Sequence, residues 1–346
     1  MHINTNNVWR GGEQQIHYLL NNTSKNFDAH LFCVENSELH KRNAVKKEKV
    51  FTFKKRFGAD VSSAFTLKTL CNKINIDLVH LHDSHAINIY IAAAWLGLQT
   101  PAIIHRRVNL AISNKRKYTH KQIQKIICLS EAVKKKFSFV KEEKLVVIPP
   151  AINLSKFSTT TTNTIKTDLN LPKNAVLIGI AAALEKEKNI EEFIKIAQAA
   201  ILKNDLYHFL LIGDGSLYKT YSTKYATKNI HFLGFRNDIP QIINELDIFL
   251  FTSKNEGYGQ VLLEAMASKV PIVSSNFPVV TEIIQQGKNG FIYTTIEEAV
   301  EKIEYLSNHT KEKNAIINNA HKFVQQFDVA LVNKQIEAIY TSVLSI

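Results

Sequence analysis

Glu256 and Glu264 stand eight positions apart, and a glycine-bracketed turn, Gly257-Tyr258-Gly259, follows the first of them. Gln260 and an apolar, helix-like run, Val261 to Ala267, come next and carry the second carboxylate. A turn that opens a helix gathers unpaired backbone N–H groups and the positive end of the helix dipole, which is a place for phosphate. The carboxylates cannot serve the phosphate, because like charges repel. They suit hydroxyl groups, from which carboxylate oxygens accept hydrogen bonds. Phosphate beside hydroxyls describes a nucleotide sugar.

Such a site must be positioned by a scaffold. A chain of 346 residues suits two domains rather than one core. Its 45% hydrophobic content is that of an ordinary globular protein. No run approaches the roughly 18 to 20 apolar residues that span a bilayer. The start, Met1-His2-Ile3-Asn4-Thr5, lacks a charged-then-apolar signal pattern, so a cytoplasmic protein is expected. Cys33, Cys71 and Cys128 are far apart and odd in number, which fits reduced, buried thiols.

Short apolar runs alternate with amphipathic stretches. Strands are predicted at 29–34, 78–81, 102–105, 125–129 and 145–148, then at 176–181, 207–212, 230–233, 248–251 and 271–274. Helical periodicity appears at 14–21, 86–96, 190–202, 239–244, 259–268 and 296–307. Strands separated by helices imply an α/β fold with parallel sheets. The pattern occurs twice, and the Ser-, Thr- and Asn-rich stretch 155–167 has a linker's composition. Two Rossmann-like, doubly wound domains facing across a cleft are expected, at 1–155 and 156–329, with a final helix over 330–346 crossing back to the first. Ligands of such sheets bind beyond the carboxyl ends of the strands. His105 ends a predicted strand, and Lys188, Gly213-Asp214-Gly215 and Glu256 each follow one.

Charge is uneven. Residues 1–150 hold 24 basic against 11 acidic side chains, and the remainder 19 against 20. The excess clusters at Lys46-Lys47, Lys54-Lys55-Arg56, Lys115-Arg116-Lys117 and Lys134-Lys135-Lys136, which favours an anionic partner. Lys134–Lys136 lies near Phe137, Phe139 and Val140, a mixture that fits attachment to an anionic inner-leaflet surface.

The Glu256/Gly-Tyr-Gly/Glu264 block resembles the signature of the retaining glycosyltransferases of family 4, which have the GT-B architecture. The resemblance covers almost the whole chain. Trp9-Arg10-Gly11-Gly12-Glu13 looks like the glycine pair after the family's first strand, where the backbone approaches a ligand with no Cβ in the way. Lys188 matches the lysine that neutralises the donor diphosphate. The arginine usual five residues earlier is here Ala183. Arg10, Arg106, Arg107 or Lys186 would have to replace it, or phosphate binding is weaker. Gly213 and Gly215 match the family's Gly-Asp-Gly turn, and Phe235-Arg236 the segment that meets the base. His105 resembles a histidine placed against the transferred sugar. Arg106 and Arg107 suit an acceptor phosphate or carboxylate. His80, His82, Asp83 and His85 offer metal-ligand types, and two residues apart on a strand face one way. Yet the chain holds no Asp-x-Asp pair, the mark of metal-dependent glycosyltransferases, so no metal and no other cofactor is expected.

The resemblance implies transfer of a hexose from a UDP-, GDP- or ADP-linked sugar to an acceptor hydroxyl with retained configuration. Glu256, Lys188 and His105 are the expected catalytic residues. Gly11, Gly12, Gly213, Gly215, Arg236, Gly257, Tyr258, Gly259, Gln260, Val261 and Glu264 would hold the donor, and Arg10, Arg106 and Arg107 the acceptor side. A glycolipid or saccharide acceptor would place the protein in lipopolysaccharide, capsule or related biosynthesis, in the cytoplasm or peripherally on the inner face of the membrane. The alternatives are a nucleotide-sugar epimerase of the same architecture or a catalytically weakened relative. A nucleic-acid partner is not expected, because no recognised module interleaves aromatic and basic residues.

Overall fold

The computed structural model describes residues 1–43, 48–55, 60–157 and 164–344. Lys46, Lys47 and Arg56 of the basic clusters, and 158–163 of the linker stretch, lie outside them. The chain forms two compact units. One is Met1–Ala151 with Val329–Ile346, and the other is Ile152–Asp328. The first boundary lies before the expected 155/156 because the Ile152 N–H donates to the Phe327 carbonyl at 2.8 Å, tying Ile152 into the second unit.

The first unit is a seven-stranded parallel sheet of order β3-β2-β1-β4-β5-β6-β7. Its strands are β1 (His2–Asn4), β2 (Leu31–Val34), β3 (Val50–Phe53), β4 (Val79–Leu81), β5 (Ala102–Arg106), β6 (Ile123–Cys128) and β7 (Leu145–Val147). The central strand β1 pairs Ile3 with Phe32 on one side and with Leu81 on the other. The order reverses between β1 and β4, so the loops leaving these two strands part to opposite faces of the sheet and open a crevice.

The second unit is a six-stranded parallel sheet of order β10-β9-β8-β11-β12-β13. Its strands are β8 (Val176–Ala181), β9 (Tyr207–Ile212), β10 (Ile230–Gly234), β11 (Ile248–Phe251), β12 (Ile272–Ser275) and β13 (Phe291–Tyr293). Here the reversal falls between β8 and β11. All six residues of β9 are buried, the continuous apolar run that a sheet covered on both faces requires. The helix Ile190–Lys203 buries Ile190, Phe193, Ile194, Ala197 and Ala200, one helical face, against that sheet.

The C-terminal helix Val329–Leu344 belongs to the first unit. Val332, Ile336, Tyr340 and Val343 recur at three- and four-residue spacing and pack on Tyr18, Ile103 and Ile127. Each large side chain so buried stabilises by about 1.5–3 kcal/mol. Two polar contacts fix its register: Ser24 N–H donates to Glu337 Oε1 at 2.7 Å, and Asn333 Nδ2 to the Tyr18 carbonyl at 3.3 Å. Cys33, Cys71 and Cys128 are free and buried, and burial pushes their thiols up to about 12, 11 and 12.

Candidate active site

In the second unit the loops after β8 and β11 meet at the strand reversal. Lys188 comes from the first and Glu256 from the second, and Lys188 Nζ lies 2.5 Å from Glu256 Oε1. Both side chains are partly accessible, at 26% and 17%. A second bond joins the loops: Thr252 Oγ1 donates to the Lys188 carbonyl at 3.0 Å.

The Gly213-Asp214-Gly215 turn braces the loop that carries Lys188. Leu184 N–H donates to the Asp214 carbonyl at 3.0 Å, and Ser216 N–H to Glu185 Oε1 at 3.1 Å. Gly213 has φ +137°, and a Cβ on it would collide with the Ala182 carbonyl oxygen. The glycine is demanded by this close approach. Ala183 is exposed on the same loop and offers no cation where the family's arginine was expected. Arg236 is engaged by a bidentate pair with Asp238, at 2.8 and 2.6 Å, which holds the Asp238 carboxyl below its ordinary value.

Gly259 caps the helix Gln260–Ala267 with φ +85°, and no side-chain cap is present among the described residues. The positive end of that helix's dipole lies at this turn. Gly257 and Val261 are half-buried beside it. The side chain of Tyr258, a donor-side candidate, is buried, with its ring 5.9 Å from that of Phe327. The turn can offer the backbone of this residue rather than its ring. Glu264 is half-buried and accepts from Gln260 Nε2 at 3.3 Å. Burial pushes its carboxyl up to about 7, the single hydrogen bond only partly opposing this.

In the first unit the loops after β1, β4 and β5 surround a cavity of about 370 Å³ lined by Asn4, Arg10, Glu13, His82, Arg106 and Arg107 among others. Gly11 and Gly12 open the helix Gly11–Asn22 at its edge, and a Cβ on Gly12 would sit 3.7 Å from Arg107 Cδ. Arg107 Nη2 lies 3.2 Å from both His82 Nδ1 and His105 Nδ1. A guanidinium can only donate, so both Nδ1 atoms accept and both Nε2 atoms carry the proton. His82 Nε2 then donates to His2 Nδ1 at 3.0 Å. His105 is 3% exposed and stacks on His80 with rings 5.5 Å apart and 3° from parallel. His80 Nδ1 meets the Tyr340 hydroxyl at 2.8 Å. Desolvation, then neighbouring positive groups, hold His2, His80, His82 and His105 well below the ordinary imidazole value. Burial brings Arg107 down to about 10, opposed by Glu13, so it stays charged at neutral pH.

The ligand atoms of His2, His80 and His82 lie within 4.8 Å of one another, close enough to be considered for a metal. The donor chemistry fits a cation poorly. His82 Nε2–H is spent on His2, and a guanidinium rests against the other nitrogen of His82. Asp83 does not join them. It caps the helix Ser84–Trp95 through His85 N–H and Ala86 N–H and accepts from Thr5 N–H and Oγ1.

The apolar residues of the basic 134–140 patch are buried or, for Phe139 and Val140, half-buried against the core of the first unit. Phe137 is fully buried, edge-on to Tyr118 at 5.2 Å, and Lys134 pairs with Glu142 at 2.5 Å. The exposed large apolar residues lie elsewhere. Phe65 (62%) is on the helix Val61–Lys73, and Trp95 (80%) ends the helix Ser84–Trp95. Lys68 Nζ bridges these helices by donating to the Leu96 carbonyl at 2.7 Å. No helix among the described residues is long and apolar enough to cross a membrane.

Residues 9–156 match the family model for Glycosyltransferase Family 4, and residues 161–323 match that for Glycosyl transferases group 1. The chain is 29% identical over 302 residues to the UDP-Gal:alpha-D-GlcNAc-diphosphoundecaprenol alpha-1,3-galactosyltransferase of Escherichia coli, covering 78% of this chain and 76% of that one. It is 22% identical to the N-acetyl-alpha-D-glucosaminyl L-malate synthase of Bacillus anthracis, covering 82% and 80%. Among solved structures, Anabaena HepE in complex with UDP superposes with a TM-score of 0.85 at 20% identity, over 99% of both chains.

Proposed function

The chain belongs to the group 1, family 4 glycosyltransferases and has the GT-B fold, and from that premise we propose that it transfers a hexose from a nucleoside-diphosphate sugar to an acceptor hydroxyl with retention of configuration. The observation that carries this reading is the Lys188–Glu256 pair at the β8/β11 reversal, beside a glycine turn and the start of a helix that Gly259 caps. Lys188 and the backbone N–H groups after Glu256 stabilise the departing diphosphate, as pre-aimed donors do at any developing oxyanion. Glu256 holds sugar hydroxyls near the anomeric carbon, and Glu264 accepts from the ribose. Cationic work falls to side chains, without a metal. In the first unit, His105 Nε2–H faces the transferred sugar or the acceptor, and Arg10, Arg106 and Arg107 hold the acceptor.

The Escherichia coli relative is named for an acceptor on diphosphoundecaprenol, and HepE was solved with UDP. These support a uridine donor and a saccharide on a lipid carrier, in lipopolysaccharide, capsule or other polysaccharide synthesis. Such an acceptor would be met peripherally on the inner face of the membrane.

A thermal-shift panel of UDP-, GDP- and ADP-sugars tests the donor half. One base should raise the melting temperature of the wild type. Lys188→Ala and Glu256→Ala should weaken that response, and Lys188→Ala should lower the transfer rate about 10²-fold or more. If no nucleotide sugar stabilises the wild type, the reading fails.

A further inference from the structure

The cavity at the carboxyl ends of β1, β4 and β5 contains more hydrogen-bond donors than the protein satisfies. Both hydrogens of Arg107 Nη2 are used, one on His82 and one on His105. Arg107 Nε and Nη1 have no partner among the described residues, nor does His105 Nε2, and all three atoms are buried. By the tautomer derived above, His105 Nε2 carries a hydrogen, so every one of these groups is a donor. Buried donors are nearly always paired, and leaving several unpaired around one charged group is expensive.

The nearby carboxylates do not answer them. Glu13 accepts from Asn4 Nδ2 at 3.2 Å, Asn6 Nδ2 at 2.8 Å and Arg10 N–H at 3.0 Å. Asp83 is saturated by Thr5 and by the helix it caps. Both are held by neutral donors, so their oxygens face those donors. Arg106 is tied by its Nη2 to the Leu110 carbonyl at 2.8 Å, and Arg10 stands exposed at the rim. What is missing is an acceptor-rich anion.

The geometry points to a binding site for a phosphoryl group of the acceptor substrate, held by Arg107 and His105 with Arg10 at the rim. The inference rests on the transferase reading above and deepens it, making the acceptor a phosphate or diphosphate ester. A phosphoryl group fits better than a carboxylate. The unpaired N–H groups come from two separate planes, an imidazole and a guanidinium. Three phosphoryl oxygens can meet donors from both planes, whereas two carboxylate oxygens lie in one plane. The contacts of Arg107 Nη2 with His82 and His105 fix the plane of the guanidinium, so its remaining N–H groups are pre-aimed.

The test is calorimetric titration of the full chain with inorganic pyrophosphate, and separately with succinate and UDP. With saturating UDP filling the donor site, pyrophosphate should still bind the wild type, and weaken at least tenfold in Arg107→Gln and in His105→Phe. UDP should behave oppositely, weakening in Lys188→Ala and binding Arg107→Gln as it binds the wild type. Arg10→Gln, at an exposed position, should weaken pyrophosphate severalfold even if Arg107→Gln folds poorly. Three results would overturn the inference: pyrophosphate binding indifferent to all three first-unit variants, equal or tighter binding of succinate, or loss of pyrophosphate binding once UDP is present. The last would assign the anion to the donor. Failure of UDP to bind the wild type would instead strike the donor reading and leave the pyrophosphate result standing.

Discussion

Glu264 titrates in the range where the enzyme would work, and this makes its proposed contact measurable. Burial raises its carboxyl to about 7. Hydroxyl groups of a bound ribose would donate to the ionised form, so donor binding must expel the proton wherever the free protein carries one. A group titrating near 7 is about nine-tenths ionised at pH 8 and about one-tenth at pH 6. Affinity for the donor should therefore fall about tenfold from pH 8 to pH 6. The ligand should be an intact UDP-sugar, whose diphosphate is a diester and takes up no proton in this range. The clustered histidines of the first unit, His2, His80, His82 and His105, do not interfere, since burial holds all four imidazoles neutral. Calorimetry in two buffers of different ionisation enthalpy should detect nearly one proton released at pH 6 and almost none at pH 8. Glu264→Gln should bind more weakly at pH 8 and lose the slope. The unliganded protein should show the opposite trend. A carboxyl raised on folding contributes stability that is fully present below its unfolded value of 4.5 and lost as pH rises through about 7. A wild-type affinity flat within twofold over pH 6–8, or the same slope in Glu264→Gln, would refute the assignment of Glu264 to the ribose.

Two further outcomes follow from the fold. Gly213→Ala should lower stability by about 1–3 kcal/mol in denaturant melts, because its φ of +137° and the Ala182 carbonyl leave no room for a Cβ; an unchanged midpoint would show that the loop yields freely. Full chain mixed with anionic vesicles should co-sediment at low salt, and Phe65→Ser with Trp95→Ser should reduce the bound fraction severalfold. Loss of binding in Lys134→Ala but not in that double variant would return the contact to the 134–140 stretch.

The alternation of apolar runs and helical periods carried most of the fold, because strands buried on both faces read as continuous apolar segments. Elements without that contrast were missed. The helix Val61–Lys73 buries Ser63, Ala64, Leu67 and Cys71, too small and mixed a stripe to stand out, and its start is set by Asp60 accepting from Ser63 N–H at 3.0 Å. The edge strand β3 is only half-buried, and β13 has three residues. Within the site, the Lys188–Glu256 encounter was foreshadowed only by each residue following a strand; their separation of 68 positions is closed by the strand order. The burial of the Tyr258 ring was not legible, because an aromatic residue between glycines looks accessible and only packing on Phe327 shows otherwise. The role of Glu13 as acceptor for three neutral donors was invisible, since Asn4, Asn6 and Arg10 are brought to it by the turn after β1. Phe137 failed as a surface residue for the same kind of reason: its chain neighbours are lysines, but its spatial neighbour is Tyr118.

The Lys188–Glu256 pair also bears on how a missing cation can be tolerated. Ala183 leaves Lys188 as the half-buried cation beside the turn after β11, and that ammonium already has a carboxylate partner. Partly exposed ion pairs contribute only about 0–1 kcal/mol net. Redirecting Lys188 from Glu256 to a diphosphate therefore costs little, and the more highly charged anion attracts it more strongly. The exchange has a second effect. Glu256, released from the ammonium, regains both oxygens for hydroxyl donors. In the proposed reading, a diphosphate arriving at Lys188 and a sugar arriving at Glu256 would thus favour one another, and an intact nucleotide sugar would gain from both where a nucleoside diphosphate would gain from one. With a second arginine on the loop, as the family usually has, the phosphate would not need to take Lys188 away from Glu256, and this coupling would be weaker. The departure at Ala183 is then compatible with activity, provided that the donor's two halves bind together.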